Sequence, residues 1–101
     1  MRSNDPSLLI MTSLAEGPKH GYAITLDVYE VAGVKLGPGT LYGAIARLEQ
    51  RGLIEPLAAE DRRRPYRLTG SGVTALREQL IAQERVASVG LRRLATTEAG
   101  A

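Results

Sequence analysis

The side chains with chemistry to offer are concentrated between residues 35 and 67. Lys35, Arg47, Arg51, Arg62, Arg63, Arg64 and Arg67 stand there against Glu49, Glu55, Glu60 and Asp61, and Arg62–Arg64 is the densest basic point. A guanidinium is a planar fork of donors that matches a phosphate or the edge of a guanine. Over all 101 residues, 13 Lys and Arg face 11 Asp and Glu, a formal charge of only +2. The distribution, not the sum, therefore points to an anionic partner. A solvated loop kept charged for solubility is the alternative reading of the arginine run.

Catalytic chemistry finds little to work with. There is one histidine, His20, and no cysteine. That removes His/Cys metal clusters, Cys/His nucleophile pairs and disulfides. His20 reads as a cap or packing group at a turn, or else, with Lys19 at the start of the second helix, as a group facing the backbone of the anionic partner. Asp27 and Glu30 sit at i, i+3 on one helix without an evident third ligand, and such a pair is ordinarily solvated. Gly37-Pro38-Gly39-Thr40 follows no proper strand, so it is not a nucleotide phosphate loop. The expectation is a protein that is not an enzyme and has no cofactor or metal.

The elements that position the basic residues come next. Pro38 suits the first turn of a helix, where its missing N–H would be unpaired anyway. Gly37 precedes it as N-cap, and Gly52 stops the helix after Arg51. Leu41, Ile45 and Leu48 recur at helical spacing as a buried stripe. The opposite face carries Gly39, Thr40, Gly43, Ala46, Arg47 and Gln50, with Tyr42 and Glu49 on one flank. Small residues together with Arg and Gln let such a helix approach a large, polar, negatively charged surface closely. Leu53–Leu57 reads as a strand that Pro56 confines to an edge. Residues 58–64 form a polar loop, and Tyr66–Leu68 is the return strand.

Before this stretch, Asp5 and Pro6 read as N-cap and first residue of a helix reaching about Ala15. Its L-L-I-M centre is apolar on more than one face, which asks for two packing partners. One is its own core; the other is a second subunit, which places Leu8 and Leu9 at a dimer interface. A second helix runs from Lys19 or His20 to Val31, with Ile24, Val28 and Val31 as its stripe and the Tyr22 ring in the core. Residues 1–4 are expected to be frayed. After the strands, Thr69 caps a long helix to about Leu94, whose first turn Gly70 and Gly72 weaken. Val73, Leu76, Leu80, Ala87, Leu91 and Leu94 line it. A helix this long on so small a body exposes apolar area unless another chain covers it. A homodimer through Leu80, Ala87, Leu91 and Leu94 is expected, the alternative being a helix that folds back on its own domain.

The domain expectation is a DNA-binding unit over 5–68, a dimerisation helix over 69–95 and a disordered tail over 96–101. No apolar run is long enough to span a membrane, and M-R-S-N-D-P lacks a signal-peptide core. The expected compartment is the cytoplasm.

Three segments carry a resemblance. They are L-L-I-M-T-S-L-A-E-G-P-K-H-G-Y-A-I, G-P-G-T-L-Y-G-A-I-A-R-L-E-Q-R-G-L-I-E and R-R-R-P-Y-R-L-T-G-S-G. Over roughly residues 7–94 the chain resembles the PadR-like transcriptional regulators, in their short form. The resemblance implies a mainly α, winged helix-turn-helix fold, with a three-helix core, a two-stranded β wing and a long C-terminal dimerisation helix. It implies a homodimer that binds double-stranded DNA, as a repressor. Gly43 departs from the family, whose members often carry Pro after the Tyr of L-Y. An interior Gly costs about 1 kcal/mol relative to Ala. Here it either loosens the helix or lets DNA come closer.

A helix fits the major groove of B-DNA. Gly39, Thr40 and Gly43 would lie closest to base edges or phosphates, and Arg47 would read guanine or grip phosphate. Gln50 sits late in the helix. Tyr42 would donate its hydroxyl to a phosphate, a role the resemblance also implies, or pack half-buried. Lys35 would contact phosphate beside the helix entrance. Arg62, Arg63 and Arg64 would touch the backbone or enter the minor groove. The competing class is a winged-helix module for protein–protein assembly without specific DNA binding. Some relatives hold flat aromatic drugs between aromatic side chains at the dimer interface. This chain has no Trp or Phe to build that pocket, so any small-molecule effector is unknown.

Overall fold

The computed structural model describes residues 4–100. The order is α1 (Pro6–Leu14), β1 (Lys19–His20), α2 (Gly21–Ala32), α3 (Pro38–Gln50), β2 (Ile54–Pro56), β3 (Pro65–Leu68) and α4 (Gly70–Gly100). This is a winged helix with a long C-terminal helix. Residues 1–3, most of the expected frayed end, lie outside the described residues.

Helix α1 begins as its sequence dictates. The Asp5 carboxylate accepts the Ser7 N–H at 2.8 Å, and Pro6 occupies the first turn. Leu8, Leu9, Ile10, Met11 and Leu14 are all buried. This corrects the expectation for Leu8 and Leu9. Helix α1 is the central rod of the protomer, packed by α2, α3, α4 and β3. Its own chain supplies the several partners that an all-round apolar helix needs, so Leu8 and Leu9 are not available to a second subunit. They join Ile24, Val28, Leu36, Leu41, Ala44, Ile45, Leu48, Leu53, Ile54 and Leu76 in one core. Fully burying each large apolar side chain contributes about 1.5–3 kcal/mol.

Helix α2 packs through a narrower face than expected. Ile24 and Val28 are buried, but Tyr22 is 63% and Val31 65% exposed. Tyr22 lies two residues from Ile24, roughly 200° around the helix, and so points away from the core. Val31 is on the right face but stays exposed at a cleft that it lines with Leu9 and Thr12 of α1.

The sheet has three strands, not two, in the order β1-β3-β2, all antiparallel. Two residues of alternation are too short a signal to find β1 from sequence. Lys19 pairs with Tyr66 and His20 with Pro65, which ties the start of α2 to the wing. Pro56 ends an edge strand, where its missing donor costs nothing.

Thr69 caps α4: its Oγ1 accepts the Gly72 N–H at 3.0 Å and donates to the Gly52 carbonyl at 2.6 Å. Gly72 is required rather than weak. A Cβ there would lie 1.9 Å from the Leu53 carbonyl oxygen, so α4 crosses the entry to β2 at backbone contact. The helix then leaves the body. Leu80, Ile81, Val86, Leu91 and Leu94 are 40–73% exposed. The helix continues to Gly100, so residues 96–100 are helical where a disordered tail was expected; residue 101 is outside the described residues. At 1.5 Å per residue its 31 residues span about 46 Å, most of the molecule's 59 Å length. Among the described residues no helix is long and apolar enough to cross a membrane.

Candidate nucleic-acid interface

Two elements project the basic residues: α3 and the loop joining β2 to β3. Leu41, Ala44, Ile45 and Leu48 fix α3 to the core. That anchoring turns Gly39, Thr40, Ala46, Arg47 and Gln50 outward, all exposed, with Gly43 half-buried. The Arg47 side chain lies back along the helix, its Nη1 3.5 Å from where a Cβ on Gly43 would stand. That is ordinary contact, so a methyl at position 43 would fit beneath the guanidinium. Lys35 is exposed beside the helix entrance, with Nζ 5.7 Å from the centre of the Tyr29 ring.

Tyr42 is half exposed and has a second role. A Cβ on Gly21 would lie 2.5 Å from its hydroxyl and 3.3 Å from Leu41 Cδ2. The phenol therefore rests on the bare first residue of α2. Its hydroxyl remains at the surface where α2 begins.

The wing turns tightly at Asp61–Arg62. Glu60 and Arg63 exchange backbone hydrogen bonds of 2.7 and 2.9 Å across it, and Asp61 takes a left-handed φ of 55°, which Asp tolerates better than most residues. The three arginines are not equivalent. Arg64 Nη1 donates to the Leu57 carbonyl at 2.9 Å, and Arg63 Nη1 lies 3.2 Å from His20 Nε2. No hydrogen bond or ion pair engages Arg62 among the described residues, and it stands free at the tip. Arg67 is committed to Glu55, with Nε donating at 2.6 Å. Lys19 is committed too. Its Nζ pairs with Glu16 at 2.7 Å and Asp27 at 3.8 Å and donates to the Ser13 carbonyl.

Sequence reasoning missed one residue here, and one long-range contact. Tyr66, in the central strand, couples the wing to α3. Burial pushes its phenol up from the usual value, the Glu49 carboxylate and Tyr42 add to this, and Arg64 opposes it. His20 was placed at a turn as a cap, and its Nδ1 does accept the Ala23 N–H at 3.3 Å. Its link to Arg63, 43 residues away, left no local signal.

Comparisons with known proteins identify a family. A family model described as transcriptional regulator PadR-like family matches residues 10–78. A transcriptional regulator from Clostridium thermocellum is 30% identical, covers 82% of this chain and 86% of its own, and superposes with a TM-score of 0.73. A PadR family transcription regulator from Clostridium difficile is 26% identical over 88% of this chain and 97% of that one, with a TM-score of 0.79. RosR of H. salinarum is 25% identical over 95% and 96%, with a TM-score of 0.70. A 37.1 kDa protein in transposon TN4556 of Streptomyces fradiae is 45% identical over 86 residues. That match takes in 85% of this chain but 25% of the relative, so the chain spans about a quarter of that protein's length.

Proposed function

This chain belongs to the PadR-like family of transcriptional regulators, and on that premise we propose that it is a homodimeric, sequence-specific DNA-binding repressor of the cytoplasm. The observation that carries the reading is the two-sidedness of α3. One face is locked to the core by Leu41, Ala44, Ile45 and Leu48, and the other offers Gly39, Thr40, Gly43 and Arg47 without a bulky apolar group. Such a helix enters the major groove with its N-terminal half against base edges. Arg47 is the base reader. Thr40 and Tyr42 hold phosphates beside it, Lys35 grips the backbone at the entrance, and Arg62 leads the wing's contact with backbone or minor groove.

Dimerisation falls to α4. Leu80, Ala87, Leu91 and Leu94 lie within roughly 60° of one another around the helix and are exposed. An apolar cleft of about 340 Å³ lined by Leu68, Val73, Leu76, Leu80 and Ile81 continues this face towards the body. Two copies joined along it would present two α3 helices at fixed spacing on one duplex.

Footprinting across the source genome identifies the operator, and binding to it is then titrated against salt. The expected result is specific binding whose affinity falls steeply with salt. Arg47→Ala should cost about 1–3 kcal/mol on the operator and little on random duplex. Equal loss on both would remove its base-reading role. An intact dimer that binds no duplex at low salt would assign the fold to protein–protein assembly.

A further inference from the structure

His20 faces a donor at each ring nitrogen. The Ala23 N–H points at Nδ1 from 3.3 Å, and Arg63 Nη1 stands 3.2 Å from Nε2. Arginine has only donors, so Nε2 must accept if this contact is a hydrogen bond. A neutral imidazole has one accepting and one donating nitrogen, and an imidazolium has none that accept. No protonation state of the ring satisfies both neighbours. The Nε2–H tautomer keeps the helix cap and turns its proton towards the guanidinium. The Nδ1–H tautomer accepts from Arg63 and loses the cap.

An oxyanion between the two side chains removes the conflict. Nδ1 then accepts from Ala23, Nε2–H donates to one anion oxygen, and the Arg63 guanidinium donates to the same anion. Arg63 is exposed and on a long stem, so it can swing to admit the anion. A groove of about 570 Å³ opens there, lined by His20, Glu60, Asp61, Arg62, Arg63 and Pro65. Glu60 and Asp61 balance Arg62 and Arg63 in formal charge, so directed donors rather than net field must hold the anion.

We infer that His20 and Arg63 form a phosphate-oxyanion site at the root of the wing, in which a neutral His20 is a hydrogen-bond donor and not merely a cap. Its ligand is a backbone phosphate of bound DNA, a part of the inference that rests on the DNA-binding reading above.

The test uses the full chain and its single histidine. Nitrogen-15 NMR of the imidazole is recorded free, with a short duplex of arbitrary sequence at low salt, and separately with inorganic phosphate. With duplex, His20 should settle as the Nε2–H tautomer with Nδ1 bare. A doubly protonated ring or the Nδ1–H tautomer in bound protein overturns the inference, as does a spectrum that neither duplex nor phosphate changes. If inorganic phosphate sets the tautomer and duplex does not, the anion site stands and its assignment to DNA falls. If the protein binds no duplex at all, the DNA-binding reading fails while the phosphate arm still decides the site.

His20→Asn separates donor from cap. Asn is among the best N-caps but is too short to reach the groove. Its urea midpoint should match the wild type, while duplex affinity drops roughly tenfold, the size of one hydrogen bond to a charged acceptor. The salt slope should be unchanged for His20→Asn and shallower by about 0.9 for Arg63→Ala, which removes one charge from a phosphate. Wild-type affinity in His20→Asn would leave only the cap and refute the site.

Discussion

Gly72→Ala tests how α4 is joined to the body. Helix propensity alone forecasts a gain of about 1 kcal/mol, because Gly in a helix costs that much against Ala. The packing forecasts the opposite. The new methyl would fall 1.9 Å from the Leu53 carbonyl oxygen, 2.9 Å from its carbon and 3.2 Å from Leu68 Cδ2. The carbonyl cannot step aside cheaply, since it accepts the Thr69 N–H at 3.1 Å. Separating α4 from β2 would also strain the bonds from Thr69 Oγ1 to Gly52 and from the Gly72 N–H to Thr69. Overpacking costs about 1–3 kcal/mol, and each hydrogen bond given up adds about 0.5–1.5. After the propensity gain is deducted, a loss of roughly 2–4 kcal/mol remains. In a domain of this size that lowers Tm by roughly 10–30 °C. Thermal and urea unfolding followed by circular dichroism measures it. Gly90→Ala is the control, in the same helix with nothing within 4 Å of its Cβ position, and should be neutral or stabilising. If Gly72→Ala matches Gly90→Ala, the backbone-contact crossing of α4 is wrong.

Three further outcomes follow from the same geometry. Leu80→Glu and Leu91→Glu should each halve the mass seen by light scattering, and an unchanged mass would exclude that face of α4 as the dimer contact. Arg62→Ala should lower the salt slope of DNA binding by about 0.9 without altering stability, whereas Arg64→Ala should also speed amide exchange around Leu57, whose carbonyl it holds. Tyr66 gives alkaline sensitivity. Its phenol is held above the ordinary 10.0, so above that pH the unfolded chain loses the proton first and the native state binds more. Stability then falls as pH climbs from 10.0 through the folded value, and urea midpoints should decline less steeply in Tyr66→Phe than in the wild type.

Much of the architecture was legible because short-range rules decide it. Asp5 before Pro6, Gly37 before Pro38, the Leu41–Ile45–Leu48 stripe and Thr69 as a cap each act within one or two turns of chain. What the sequence misplaced depends on long-range neighbours. Leu8 and Leu9 look like surplus apolar area until four elements are seen to surround α1. Tyr22 looks like core until α2 proves to bury Gly21, Ile24 and Val28. Strand β1 exists because β3 comes back beside it 46 residues later.

The site divides along the same line. The residue types on α3 and the wing could be read directly, since exposure follows from the period of the buried stripe. Their states of engagement could not. Arg62, Arg63 and Arg64 are equal in sequence, yet the fold leaves one free, sets one against His20 and ties one to a carbonyl. Two glycines differ in the same way. Gly21 lets the Tyr42 hydroxyl close onto α2, whereas a Cβ at Gly43 would meet Arg47 Nη1 at an ordinary 3.5 Å. A methyl added at Gly21 would fall 2.5 Å from the Tyr42 hydroxyl, and the half-exposed phenol would have to swing off α2. One added at Gly43 would leave Arg47 where it lies. With Tyr42 as a phosphate contact, Gly21→Ala should therefore weaken binding to every sequence, while Gly43→Ala should leave affinity and base preference unchanged.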